Sequence, residues 1–384
     1  MKKIFLLALS TLCIFESCNH STDNEQSLVV ISKNNVVAVN DTLAQDVVDS
    51  ISIIPLEERP ECLLGNIKKM QKENGEYFVM SEGSNGLSEL YRFSHDGKFL
   101  NKIGRLGNAR SEYIRMGTFF VYKEKVYIAD LNKNRIVVYN VNGDFIDCNE
   151  NNEKIKFLHD ITVFDNGHAL FSYNINFNED NILFEVVDLD TFKSLHTITT
   201  KYKVEGSFPF SLKEIGCNNG IVMLSLPFDN SIYEMNQNDY SLNKKYSLEL
   251  WGDIPSIESN DFEEAQSAIE ESGANLLYGF FFSDDKILFN SIEGSVLWYI
   301  NSNKGVYLKN GLNLGRMTHL PFFPLSVSYS DKEGFYSVFS SEDYMEMINK
   351  IKAKGNEDGS LPSEIEAIRE KKNPIIVKYI LKSH

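Results

Sequence analysis

Two histidines are the residues best suited to acid–base chemistry in this sequence. His159 stands beside Asp160 at the start of one apolar run, and His319 precedes another. A pair of imidazoles could exchange protons near neutral pH, because the unperturbed pKa of histidine is about 6.5. The sequence does not fix their separation, so two ordinary loop histidines remain the alternative.

A second group of residues could bind a ligand at the same end of the fold. Aromatic rings stack on sugars or peptide side chains, and charged groups fix orientation through hydrogen bonds. Packing between neighbouring sheets is the alternative for the aromatic members. The candidates are Arg105, Arg110, Glu112, Tyr113, Phe210, Tyr278, Arg316 and Phe323.

The motifs of common enzyme and metal sites are absent from the sequence. It contains no G-x-S-x-G, H-E-x-x-H or phosphate-loop motif, and no paired Cys or His at zinc spacing. Residues 130–134 resemble the start of a calcium loop, but Arg135 and Val141 stand where Gly and Glu are required. Asp130 and Asn134 are better suited to holding a turn. We therefore expect no metal and no cofactor.

The composition favours a folded acidic protein. Of 384 residues, 42% are hydrophobic, which is enough for a large core, and the net charge is −16. This sign repels phosphate backbones, so nucleic acid is not an expected partner.

The N-terminus has the pattern of a targeting segment. Lys2 and Lys3 precede an apolar run over residues 4–15, which is too short to span a bilayer. Ser17-Cys18 resembles the lipobox of bacterial lipoproteins, which implies a signal peptide over residues 1–17, a lipid on Cys18 and a polar tether over 18–27. The implied location is the cell envelope, at the outer membrane, on its periplasmic or outer side. An uncleaved anchor or a simple secretory signal is the alternative.

The three remaining cysteines do not indicate a disulfide framework. Cys62, Cys148 and Cys217 are far apart in sequence and odd in number. We expect all three to be small buried residues.

Two strand-like patterns recur in order six times over residues 28–384. The first pattern begins at Glu76, Lys125, His168, Gly220, Lys286 and Gly334. A second alternating run follows each of them, and a further apolar run often precedes it. Period-two alternation with Gly, Asn and Asp at the turns indicates strands joined by hairpins. Four strands in each of six units predict an all-β fold, a single six-bladed β-propeller domain.

The two ends of the chain predict how the ring closes. The sixth unit ends at residues 376–381 without an outer strand. Residues 50–57 form an unassigned strand before the first unit, so we expect them to supply it. Residues 29–39 are expected to add a segment at the same seam.

Two insertions are predicted to be helical. Residues 252–274 have one helix, capped by Ser259 or Asn260 and ended by Gly273, and residues 341–373 have a helical hairpin. Both connections should emerge on one face of the ring. They could form a lid or ligand wall there, or simply decorate the rim.

Residues 125–146, KVYIADLNKNRIVVYNVNGDFI, resemble an NHL-type propeller repeat. The chain beyond residue 17 resembles the six-bladed propeller lipoproteins of Bacteroidetes through SISIIPLE, GKFLNKIGRLGNARSEY and NPIIVKYILK. Gly104, Gly107, Glu112 and Tyr113 match a glycine-rich family pattern, whereas residues 109–111 depart from it. The resemblance implies a fold and an envelope setting, but no general activity.

Three functions are compatible with these patterns. We favour a non-catalytic module that binds a glycan, a peptide or an envelope protein at the loop face of the channel. The alternative is an enzyme, such as a polysaccharide lyase, hydrolase or lactonase, with groups converging from several blades. Three or more of His159, Asp160, Arg110, Glu112 and His319 around one cavity would favour the enzyme, whereas aromatic and scattered polar groups would favour binding.

The third function is that of a subunit in an outer-membrane complex. Met345, Met347 and Ile348 of the second insertion would form its exposed apolar docking surface. No oligomeric state is indicated by the sequence.

Overall fold

The computed structural model describes residues 28–39, 47–150, 152–174, 181–203, 213–218, 220–309, 324–355, 368 and 371–383. The predicted signal peptide and tether, with Cys18, lie outside the described residues. So do four of the predicted site residues: Phe210, Arg316, His319 and Phe323.

The described chain is mainly β-strand. Its strands are β1 Val29–Ile31, β2 Val36–Val39, β3 Val48–Pro55, β4 Asn66–Glu73, β5 Glu76–Glu82, β6 Ser88–Phe93, β7 Phe99–Ile103, β8 Met116–Tyr122, β9 Lys125–Asp130, β10 Arg135–Asn140, β11 Phe145–Asn149, β12 Leu158–Val163, β13 His168–Tyr173, β14 Ile182–Asp188, β15 Ser194–Thr199, β16 Ile215–Asn218, β17 Ile221–Ser225, β18 Ser231–Met235, β19 Leu242–Leu248, β20 Leu277–Ser283, β21 Lys286–Ser291, β22 Gly294–Tyr299, β23 Lys304–Lys309, β24 Val327–Asp331, β25 Gly334–Phe339 and β26 Ile375–Leu381. The α-helices are α1 Phe262–Ser272 and α2 Ser341–Gly355.

These strands form six antiparallel sheets arranged in a ring, so the predicted six-bladed propeller is confirmed. Blades 1 to 5 are β4–β7, β8–β11, β12–β15, β16–β19 and β20–β23, and blade 6 is β24, β25, β26 and β3. The first strand of each blade lies beside the first strands of both neighbouring blades. These six inner strands surround a central channel. They begin at its connection end, where the chain arrives from the preceding blade, and turn into the second strands at its hairpin end.

Strand alternation explains how the blades pack. Phe281 lies in the core between blades 5 and 6, whereas Phe280 and Phe282 lie in the core between blades 4 and 5. Consecutive side chains point to opposite faces of a strand, so one strand contributes to both interfaces. These three consecutive residues therefore pack on both neighbouring blades.

The ring closes as predicted, through a strand from the N-terminal part of the chain. β3 pairs antiparallel with β26, with Ile54 opposite Ile376 and Ser52 opposite Lys378. This pairing gives blade 6 its fourth strand and covers the edge that β26 would otherwise expose.

The prediction that residues 29–39 join the same seam is wrong. β1 pairs in parallel with β19 of blade 4, and β2 pairs in parallel with β23 of blade 5. Ile31 is fully buried beside Trp251, and Val36 packs near Trp298. The N-terminal part of the chain therefore follows the outer rim from blade 4 to blade 6. On this path it pairs with the outer strands of blades 4 and 5 and covers the apolar residues beside them.

Helix α1 occupies the connection between blades 4 and 5. Its N-cap is Asp261, whose side chain accepts a hydrogen bond from the Glu264 amide, and not Ser259 or Asn260 as predicted. The backbone pairing of Asn260 with Lys203 holds the preceding residue in an extended conformation. The predicted end at Gly273 is confirmed, since this residue has a left-handed φ of 70°.

Helix α2 follows the second strand of blade 6. Tyr344, Met345 and Ile348 are buried in the core that blades 5 and 6 share. The predicted docking surface at Met345 and Ile348 is therefore wrong, because the apolar face of this helix packs against the propeller itself. The second helix of the predicted hairpin falls outside the described residues, apart from buried Ile368. In the described part of the chain, neither helix is long and apolar enough to cross a membrane.

Candidate ligand site in the central channel

The inner strands enclose a cavity of about 600 Å³ in the channel. A second space, of about 480 Å³, continues it at the hairpin end and shares Glu73, Cys217 and Tyr329 with it. Six aromatic residues border the cavity: Tyr122 and Tyr329 are partly exposed, whereas Phe120, Phe280, Phe281 and Phe282 are almost fully buried between the blades. No described residue of either α-helix lines this cavity, so the proposed lid is not formed by α1 or by the described part of α2.

A β-bulge near the start of several inner strands helps to place polar side chains in the cavity wall. The strand register shifts between Ile67 and Lys69 in β4, and equivalent shifts precede Thr118 in β8 and Asp160 in β12. A bulge inserts one residue and changes the direction of the side chains that follow. Lys69, Thr118 and Asp160 thus occupy equivalent positions in three successive blades, at the connection end.

These three residues meet in one polar cluster with Lys213, which precedes β16. Lys69 Nζ lies 2.6 Å from Asp160 Oδ1 and donates to Thr118 Oγ1 at 2.9 Å. Lys213 Nζ donates to the other oxygen of the same carboxylate, Asp160 Oδ2. The Ile161 amide also donates to Asp160 Oδ1, at 2.8 Å. The Asp160 carboxylate of blade 3 therefore binds Lys69 of blade 1 and Lys213 before blade 4, and Lys69 in turn binds Thr118 of blade 2.

The electrostatics of this cluster keep Asp160 ionised. Burial alone would raise the pKa of Asp160, but the ammonium groups of Lys213 and Lys69 hold it well below its usual range. Burial lowers the pKa of Lys69, and the charge of Lys213 lowers it further, against the opposing effect of Asp160. Asp160 is thus a permanent anion at neutral pH and is poorly suited to give or take a proton.

His159 lies next to this cluster, on the same strand. Its Nε2 is 3.9 Å from Glu214 Oε1, and Glu214 accepts a hydrogen bond from Ser172 Oγ. Burial lowers the pKa of His159. The Glu214 carboxylate lies between the His159 imidazole and the Ser172 hydroxyl, and Ser172 is fully buried. A hydrolase needs the imidazole to contact an accessible hydroxyl directly, so this arrangement is not a nucleophilic triad.

The two ends of the cavity carry opposite charges. Lys68, Lys69 and Lys213 lie at the connection end with Asp160, whereas Glu73 and Asp165 lie at the hairpin end. Lys68 is partly neutralised by Glu82 at 3.1 Å. The connection end is therefore a cationic region in a protein whose net charge is −16.

Arg105, Glu112 and Tyr113 do not line the cavity. They belong to the connection from blade 1 to blade 2, where the Glu112 carboxylate accepts a hydrogen bond from the Ala109 amide and pairs with Arg105 at 2.8 Å. Tyr113 is buried in the core between these blades. The ring of Tyr139 packs directly on Gly104, whose φ is 63°. The family-like residues in this loop thus make contacts within the loop and the core, and they are not part of the cavity wall.

Two further candidates also lie away from the cavity. Arg110 is exposed and pairs with Asp147 at 3.2 Å, on the outer strand of blade 2. Tyr278 is the bulged residue of β20 and is absent from the cavity wall. Of the seven predicted site residues that the structure describes, only His159 and Asp160 line the cavity.

Lys69, Lys213 and Thr118 were not among the site residues predicted from the sequence. Lys69 is part of the run NIKKMQKE, in which charged residues interrupt an otherwise strand-like pattern. A lysine in an inner strand must direct its charge into the channel or pair with another group. That reasoning could have identified Lys69 as a residue of the channel wall. The β-bulges, however, change which residues of an inner strand face the channel, so the simple alternation of side chains does not predict them.

The cysteines differ in their environments. Cys62 and Cys148 are buried as predicted, but Cys217 is exposed in the channel wall, because β16 contributes one edge to the cavity. Burial of the thiol group nevertheless raises the pKa of Cys217 to about 11. In the described part of the chain, no group of three or more His, Cys, Asp or Glu residues is arranged to hold a metal ion.

The fold and this cavity define the class of the protein, a six-bladed β-propeller with a charged central cavity. The chain belongs to the family described as Domain of unknown function (DUF4934), which matches residues 28–379. Comparison with curated proteins gives no significant match.

Two solved structures share the fold. One is a Bacteroides fragilis protein that is predicted to be exported, with 16% identity, a TM-score of 0.67, and coverage of 93% of this chain and 100% of that chain. The other is a member of the DUF4221 family from Bacteroides vulgatus, with 11% identity, a TM-score of 0.53, and coverage of 88% and 98%.

Proposed function

We propose that this protein is a non-catalytic binding protein of the cell envelope that holds the end of a glycan or peptide in its central cavity. The observation that carries the proposal is the cavity itself, with aromatic side chains along its wall and a charged cluster at one end. A pocket with an apolar wall and a few convergent polar groups is the usual form of a ligand site.

The charged cluster supports binding more than catalysis. Asp160 remains ionised and already accepts hydrogen bonds from two lysines, so its oxygens are not available to activate a water molecule. Of the residues whose convergence would favour an enzyme, Arg110 and Glu112 are engaged elsewhere, and His319 lies outside the described residues. Aromatic residues and scattered polar groups surround the cavity instead.

The cavity is tested by filling it. Ser328 is exposed in the cavity wall, so Ser328→Trp should occupy space that a ligand needs. Isothermal titration with glycan and peptide fragments selected by an array screen should show an affinity at least tenfold weaker than that of the unmodified protein. The matched control, Ser194→Trp, places the same side chain on the exposed outer strand of blade 3 and should bind normally. Equal affinities for all three proteins would place the ligand site elsewhere.

The envelope location rests on the lipobox-like sequence at Ser17-Cys18. It is compatible with the shared fold of the Bacteroides fragilis protein that is predicted to be exported.

A lipid on Cys18 has a direct biochemical consequence. Cys18→Ala should abolish incorporation of an alkyne fatty acid and release the protein from the membrane fraction, because one thiol would carry the anchor. Cys13→Ala is the control, since Cys13 lies within the predicted signal peptide and should not affect labelling. Retention of label in Cys18→Ala would contradict the lipoprotein assignment without affecting the cavity.

A further inference from the structure

The two lysines of the polar cluster have a geometry that suits a ligand carboxylate. Lys69 and Lys213 approach from different blades, and each binds a different oxygen of Asp160. Their ammonium groups therefore flank the Asp160 carboxylate, and the side of each group that faces the cavity is the side a ligand could reach. Both side chains retain some exposure, 22% for Lys69 and 26% for Lys213, and both line the cavity.

Both ammonium groups keep donors for a further partner. An ammonium group has three N–H donors. Among the described residues, Lys69 donates to Asp160 and Thr118, and Lys213 donates to Asp160. This count leaves one donor on Lys69 and two on Lys213, next to the open space of the cavity.

The charges at the connection end of the cavity point to an anion. Asp160 can neutralise only one of the two ammonium charges. Lys68 is occupied by Glu82, and Glu214 is buried outside the wall with Ser172 bound to it. The lowered pKa of His159 favours its neutral form at pH 7. Asp160 is thus the one carboxylate that pairs with Lys69 and Lys213 among the described residues, and an anionic ligand in the cavity would add a second.

We propose that the cavity recognises a carboxylate group of its ligand, bound at the connection end by the remaining ammonium donors of Lys69 and Lys213, on the cavity side of Asp160. This inference rests on the proposed function and narrows it to an acidic ligand. The rest of the ligand lies along the aromatic wall toward the hairpin end, where Glu73 and Asp165 would repel a second anionic group. A uronic acid of a glycan and the free C-terminus of a short peptide are the two sources of this carboxylate.

The test compares acids with neutral partners of the same shape. The probes are galacturonic acid with its methyl ester, and an N-acetylated phenylalanine-containing dipeptide with its C-terminal amide, titrated calorimetrically at pH 7. For one pair the acid should bind at least tenfold more tightly than its neutral partner, and the pair that shows this preference identifies the source. The preference should weaken at high salt, because it depends on an ion pair.

Substitutions of the lysines test whether the preference for the acidic probe arises at Lys69 and Lys213. Lys213→Met should reduce the ratio of acid to neutral affinity to about one, and Lys213→Arg should retain most of the ratio. Lys68→Met is the matched control, because it removes a cavity lysine that already has a partner. Circular dichroism would establish that each variant is folded. If Lys213→Met does not fold, the ratio measured with the unmodified protein remains the deciding result.

The outcomes separate this inference from the function on which it rests. Equal binding of acid and neutral probes, with both blocked by Ser328→Trp, would overturn the carboxylate inference and leave the binding function intact. A preference that survives in both Lys213→Met and Lys69→Met would also overturn it. Failure of every probe to bind would overturn the inference and count against the proposed function.

Discussion

Asn373→Ala should lower the free energy of unfolding by about 3 kcal/mol, because one buried amide connects both sides of the closing seam. Asn373 Oδ1 accepts from the Leu64 amide at 2.9 Å. Its Nδ2 donates to the carbonyl oxygens of Glu57 at 2.7 Å and of Cys62 at 2.8 Å. The residue is 1% exposed, so water cannot easily replace these bonds.

The location of Asn373 makes the effect larger than that of an ordinary hydrogen-bonding residue. It lies just before β26, and its three partners lie in the segment that joins β3 to blade 1. Truncation would remove the side-chain partner of the buried Leu64 amide and of the carbonyl oxygens of Glu57 and Cys62, of which Glu57 would keep only the Cys62 thiol as a donor, at the point where the N-terminal strand must be held. Each such group costs about 1–3 kcal/mol when it cannot reach water. Relaxation of the segment would recover part of this cost.

Urea unfolding followed by tryptophan fluorescence measures this effect. Trp251 and Trp298 are both buried, and Trp298 is fully so, so unfolding changes their emission. Asn238→Ala is the matched control, because this asparagine is exposed in a turn of blade 4 and its removal should change stability by less than about 0.5 kcal/mol. Indistinguishable midpoints for the two variants would show that the seam does not depend on the Asn373 amide.

Asp160→Asn should destabilise the protein by about 3 kcal/mol at pH 7, through the loss of the charge that two partly buried lysines share. The amide introduced by this substitution could accept one hydrogen bond, but it would not neutralise either ammonium group. The cluster joins blades 1 and 3 to the segment before blade 4, so the effect extends over half of the ring.

The dependence of this effect on pH has a definite sign. The pKa of Asp160 is lower in the folded protein than in the unfolded chain, where it is about 3.9. The stabilisation is therefore complete above about pH 5 and declines as the pH falls below about 4, where protonation favours the unfolded chain. The difference between the unmodified protein and Asp160→Asn should be about 1 kcal/mol smaller at pH 3 than at pH 7.

Equilibrium unfolding at both pH values tests this prediction. Asp165→Asn is the control, since Asp165 also lines the cavity but no lysine pairs with it among the described residues. This control should differ little from the unmodified protein at either pH. A pH-independent loss of stability in Asp160→Asn would mean that packing, and not charge, explains the effect.

The blades could be predicted because their folding signals are local. The period-two alternation and the turns, such as that at Asn142 and Gly143, lie within single hairpins. Counting the strands then required an outer strand for blade 6, which only residues 50–57 could supply. The positions of β1 and β2 could not be predicted in this way. Parallel pairing to a blade edge leaves no turn in the sequence, and several edges were available.

The site was harder to predict than the fold. The predicted residues His159 and Asp160 line the cavity, but Lys69 is 91 residues and Lys213 is 53 residues away from Asp160 in the sequence. The glycine-rich connection after blade 1 was instead given a binding role. Glu112 holds this loop and Tyr113 fills the core. A glutamate and a tyrosine can serve these structural roles as well as they can bind a ligand, so residue type alone did not distinguish the two.

The sequence by itself determined the six blades and the strand that closes them, because strand alternation and hairpin turns depend on neighbouring residues. The tertiary structure decided which polar groups share the channel and which sheet edges the N-terminal strands cover. Bulges alter the direction of the inner-strand side chains, and the ring brings distant blades into contact. These two effects, which no short stretch of sequence contains, place two lysines on one carboxylate.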